Sequence, residues 1–126
     1  MSYTNAINLG HAHQEWLRAL DFYETELKIL QGRLSEVALK NNGREVSAGV
    51  EQYQNQFIVQ RNNIDELRHT INEHVHRVFV DAKEHVGRVE ENRVEEHKEI
   101  EGSVAQFEKV IKELRHEFNK FAAKWF

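Results

Sequence analysis

Residues 13–37 read HQEWLRALDFYETELKILQGRLSEV. Apolar side chains recur through this stretch at alternating spacings of four and three: Trp16, Leu20, Tyr23, Leu27, Leu30, Leu34 and Val37. That alternation is the a/d stripe of a heptad, which a helix buries against partner helices. His13 stands three residues before Trp16, in the next position of the same stripe, where a hydrophobe is expected.

Two further stripes follow. Val46, Val50, Tyr53, Phe57, Gln60, Ile64, Leu67, Ile71, His74 and Val78 form the second. His97, Ile100, Val104, Phe107, Ile111, Leu114, Phe118, Phe121 and Trp125 form the third. The 126 residues include no proline, the commonest helix breaker. The expected fold is therefore all-α: a single domain over residues 1–126, built as an antiparallel three-helix bundle with coiled-coil-like heptad packing. Its helices are expected at about 5–41, 45–83 and 92–125, and dimerisation is one way to complete the packing.

Connections are read from local chemistry. Thr4 and Asn8 are both candidate N-caps for the first helix. Asn41-Asn42-Gly43 suits its end, because Asn and Gly accept the left-handed conformation that closes a helix. Between Asp81 and Asn92 two turns compete, one near residues 84–88 around Gly87 and one at Asn92, where Asn92-Arg93-Val94-Glu95 resembles a capping box. In an antiparallel hairpin, residues equidistant from the turn share a height. A first turn between Gly43 and Arg44 then sets Trp16 level with Ile71. A second near His85 and Val86 sets Ile71 level with Ile100, and every stripe residue falls into a three-residue layer. The later turn leaves the Val37–Val50 end uncovered, so the earlier one is preferred.

The same arithmetic places His13, His74 and His97 in one layer. Three imidazoles are the ligand set of an open zinc, iron or copper site, with a fourth position for water. Glu101, four residues after His97, is a candidate orienting carboxylate or fourth ligand, and Glu73 a candidate outer-shell partner. A polar seam layer can instead specify register without binding anything, and Gln60 and Asn41 show polarity elsewhere on the seams. A third reading is a pH-responsive layer whose protonation forces the helices apart.

His69 followed by Glu73 gives an HxxxE element that resembles part of the histidine–carboxylate pattern of hemerythrin-like di-iron bundles. No HxxxH accompanies it and three rather than four long helices are legible, so no residue roles are carried over. Three heptad helices with a core tryptophan, Trp16, are similar in outline to a spectrin-type repeat, which implies architecture and no function.

Composition bounds the remainder. No cysteine is present, which excludes disulfides and thiolate chemistry within these residues. A net charge of −4 with interspersed signs argues against nucleic acid and anionic membrane as partners. No apolar run approaches the ~20 residues of a membrane span. The opening MSYTNAINLGHAHQ does not read as a signal peptide, so a cytoplasmic location is the expectation. No glycine-rich phosphate loop or nucleophile motif occurs, so the chain reads as no enzyme. The pairs Glu90-Glu91 and Glu95-Glu96 read as a solvated face.

Apolar residues are left over outside the stripes. Phe22 and Ile29 share one outer heptad position, and Ile58 is expected level with Ile29. Together they suggest a second packing face for a homo-oligomer or another helical protein, and exchange of third helices between two chains is a rival arrangement. The leading expectation is thus a noncatalytic, self-associating helical-bundle protein with no cofactor. The alternative is a metal-binding bundle using His13, His74 and His97 with Glu101.

Overall fold

The stripes fold as three long helices: α1 at Ala6–Lys40, α2 at Arg44–Glu84 and α3 at Glu91–Trp125. The computed structural model describes residues 3–85 and 88–126, with side chains placed at 9–85 and 91–126. At ~1.5 Å per residue, each helix is roughly 50–60 Å long. All three pack on one another. Among the described residues, no helix is long and apolar enough to cross a membrane.

Burial picks out most of the stripe residues. Every apolar stripe residue of α1 from Trp16 to Val37 is buried, as are Phe57, Ile64 and Ile71 on α2 and Ile100, Val104, Phe107, Ile111, Leu114 and Phe118 on α3. On α2 the stripe residues Val50, Tyr53 and Leu67 are half-buried, and at the end of α3 the pattern slips. There Ala122 is fully buried while Phe121 and Trp125 are half-buried. Phe121 lies instead against α2 at Gly49, where a Cβ would collide with its ring.

Side-chain pairs fix how the helices meet. On α2, His74 stands by His13, and Arg68 reaches Asp21 at 2.8 Å and Glu24 at 3.2 Å. On α3, Trp16, Tyr23, Glu26 and Arg33 of α1 meet His97, Glu108, Arg115 and Asn119 in rising order. Between α2 and α3, Lys124 pairs with Glu45, Phe118 packs on Tyr53, and Glu96 meets His74. The exposed ion pairs are each worth at most about 1 kcal/mol, so they record register more than they hold the fold. The Tyr23 hydroxyl donates to Glu108 at 3.0 Å; burial and that carboxylate push it up to about 12.

The ends hold the surprises. Two three-residue strands, β1 at Tyr3–Asn5 and β2 at Arg88–Glu90, pair antiparallel with Thr4 opposite Val89. Neither is long or periodic enough to read as a strand alone; each exists because the helices bring the other beside it. This ribbon displaces the expected caps. Thr4 lies in β1 and Asn8 inside α1, and because β2 runs straight into α3, Asn92 lies inside that helix instead of capping it.

Gly43 likewise is not a left-handed terminator. Its φ of −75° and ψ of 160° are extended, and it serves as the N-cap of α2. The closing of α1 falls to Asn41, whose Nδ2 donates to Val37 O and to Trp125 O, each at 2.9 Å. One amide thereby satisfies terminal carbonyls of two helices.

Candidate metal centre

α1, α2 and α3 each contribute one imidazole to a single layer. His13 is 4% exposed, His74 is 0% exposed and His97 is half-buried. Their ring centroids are separated by 4.8 Å (His13–His74), 5.5 Å (His13–His97) and 6.0 Å (His74–His97). One nitrogen from each ring can be chosen so that all three lie within 4.8 Å of one another. Tetrahedral zinc with Zn–N bonds near 2.0–2.1 Å sets its nitrogens roughly 3.4 Å apart, so closure needs side-chain shifts on the order of 1 Å.

The layer is roofed and floored by apolar side chains. Trp16 lies one turn inward and stacks 4.6 Å from His97 and 5.4 Å from His13. Leu9 and Val78, with Val94 against them, form a separate small cluster one turn outward. The imidazoles therefore sit inside the bundle, not at a wet open end.

The tautomer of His74 follows from its neighbour. His74 Nδ1 lies 2.9 Å from Glu96 Oε1. Burial would raise the Glu96 carboxyl, but hydrogen bonds from His74, Arg93 and Arg77 hold it at about 2. An ionised carboxylate only accepts, so Nδ1 carries the proton, and in the neutral ring Nε2 is the nitrogen left with a lone pair. That Nε2 is buried with no protein hydrogen-bond partner, and so are Nε2 of His13 and Nδ1 of His97. Each such atom costs roughly 1–3 kcal/mol.

Burial, with His74 and His97 beside it, lowers His13 from 6.5 to about 4. Burial also lowers His97, helped by His74 and opposed by Glu101. His13 is therefore neutral at pH 7, the form that ligates metal.

Carboxylates are arranged differently from the sequence expectation. Glu101 is exposed; it influences the charge of His97 from the flank and is outside the three-histidine group. Glu73 is also exposed, 2.6 Å from His69 Nε2 and 3.8 Å from Arg77. The carboxylate that reaches the layer is Glu96, which the sequence suggested was part of a solvated face. Its second oxygen lies 2.6 Å from Arg93, whose Nε is 3.3 Å from Asp81 on α2. Glu96 and Glu101 flank the α3 stripe on opposite sides. Only the neighbour on each side decides which matters, and α2 lies beside Glu96.

The proposed interface residues separate. Phe22 and Ile29 line a groove with Arg33, Arg115 and Asn119, between α1 and α3. Ile58 lines another with Ala38, Val50 and Gln54, between α1 and α2. All three are exposed. No family model, no curated protein and no solved structure matches this chain.

Proposed function

We propose that this chain is a metal-binding helical bundle in which His13, His74 and His97 hold one divalent transition ion. The single observation that carries the reading is three imidazoles in one layer, with one nitrogen from each within 4.8 Å of the others and a buried nitrogen without a protein partner on every ring. Glu96 adds the outer-shell carboxylate that ligating histidines typically have, orienting His74 and raising its basicity. Neutral imidazoles suit zinc, copper and iron, and zinc is the ion of choice for a three-nitrogen site with a fourth position for water.

The role is binding rather than turnover, since apolar side chains cover the layer on both sides. An ion there ties three helices together at one point, so its binding energy becomes folding energy. The arrangement behind this is an up-down-up antiparallel bundle with heptad packing. It is supported by partners on α2 that fall, and partners on α3 that rise, along α1.

Untagged protein stripped of metal should take up one zinc per chain by calorimetry and change Trp16 emission in a Trp125→Phe background. His74→Ala should abolish uptake while keeping its helical circular dichroism. No uptake near one equivalent, or uptake that survives His74→Ala, overturns the reading.

A further inference from the structure

The outward side of α1 carries a second heptad stripe that stays exposed, with Phe22, Thr25 and Ile29 at the edge of the groove that α1 shares with α3. Arg18, Phe22, Thr25, Ile29, Gly32 and Glu36 recur at spacings of four and three, and all six are exposed. Phe22 is 57% and Ile29 59% exposed. At Gly32 a Cβ would meet nothing within 4 Å, so the backbone there is open to a close approach. A stripe of this period is what a helix presents to a second helix.

The stripe complements itself. Consider a second copy of α1 laid antiparallel across it, with the two-fold axis beside Leu27. Arg18 then faces Glu36 of the other chain, Phe22 faces Gly32, and Thr25 faces Ile29; the two-fold repeats each pairing. The charged residues meet opposite charges at both ends, and each large ring meets the one position with no side chain. A parallel pairing instead sets Arg18 on Arg18, Glu36 on Glu36 and Phe22 on Phe22. Sliding the antiparallel pair by one heptad leaves Arg18 without its acid. Charge and shape thus select one orientation and one register, and the occupant they select is a copy of the same surface. An interface of this kind uses one patch twice, as closed two-fold dimers do.

We infer that this chain forms an antiparallel homodimer through the Arg18–Glu36 stripe of α1, with Phe22 seated over Gly32 of the other copy. Ile58 takes no part. The interface lies on the solvent side of α1, opposite the histidine layer, and does not depend on metal.

Sedimentation velocity of the metal-free full chain across a concentration series tests it. A dimer is expected whose dissociation constant rises about tenfold or more in Arg18→Glu and in Glu36→Arg, from like charges brought together. The double variant Arg18→Glu/Glu36→Arg should restore dimerisation, a rescue that loss of fold cannot mimic. Phe22→Asp should also give monomers. A monomer at every concentration overturns the inference, as does a dimer indifferent to both charge reversals, which would mean that another face is used. A wild-type monomer that captures a foreign helical protein on this stripe overturns it too. Zinc uptake is measured separately, so either idea can fail alone.

Discussion

The two ends of the bundle are built on the same three helices and filled with opposite chemistry. At the Asn41 end, Tyr53, Phe57, Phe118 and Phe121 pack ring against ring, with centroids between 5.0 and 6.3 Å. Cations cover that cluster from outside, Arg33 over Phe118 and Phe126 and Lys40 over Phe126. At the other end the same stripe positions hold imidazoles with unpartnered nitrogens. The aromatic end is good packing with its polar groups outside. The histidine end keeps polar atoms inside without protein partners, at a cost of roughly 1–3 kcal/mol each. A stripe position therefore says where a residue goes and not whether the fold benefits from it.

The contrast can be broken from either end. Phe57 is fully buried at the aromatic end, so Phe57→Ala should cost about 3–5 kcal/mol in urea unfolding and leave zinc affinity close to wild type. Equal losses of stability and zinc affinity would show that the two ends are coupled.

Acid should attack the other end. His13 titrates near 4 when folded and near 6.5 when unfolded, so in that window the unfolded chain binds the extra proton. Its contribution is fully present above about pH 6.5 and is lost as the pH falls towards 4, on the order of 3 kcal/mol in the metal-free protein. His74 of α2 and His97 of α3 are the titratable groups beside His13, and Glu96 and Glu101 act on those two rings in turn. Glu96 stays ionised through the window, since it titrates near 2. Equilibrium unfolding at several pH values, repeated on His13→Leu, isolates the term; an unchanged slope in that variant removes His13 as its source.

Removing the imidazole has its own expected sign. His13→Leu should raise metal-free stability at pH 7 by about 1–3 kcal/mol, because an orphan nitrogen leaves the interior, and should abolish zinc binding. Destabilisation instead would mean that the layer already gains from its rings. The smallest effect belongs to Asn41→Ala, about 1 kcal/mol from two lost hydrogen bonds to helix ends, read as a shift in the urea midpoint.

Much of this was legible in the sequence, and for an identifiable reason. Heptad spacing is a local signal, so Trp16 to Val37 announced one buried face without help from the rest of the chain. Two turn positions then sufficed to set His13 level with His74 and His97. What stayed hidden depends on neighbours. Glu96 and Glu101 are alike in sequence, and only the helix alongside separates the orienting carboxylate from an exposed one. The β1–β2 ribbon was illegible because each strand is defined by its partner about 85 residues away. Gly43 misled because one residue can serve the end of one helix or the start of the next.

The Asn41 bridge has a consequence for the field inside the molecule. Its amide touches carbonyls of Val37 and Trp125, so α1 and α3 finish at the same corner. Each helix end carries roughly half a negative charge, and two pointing the same way repel. Lys40 and Lys124 lie in those last turns, and two amide hydrogens stand between the carbonyls. The corner is therefore a small electrostatic lock made of donors and cations placed against carbonyls. An aspartate at position 41 keeps the shape of the side chain but turns its donor into an acceptor, so Asn41→Asp should cost more than Asn41→Ala.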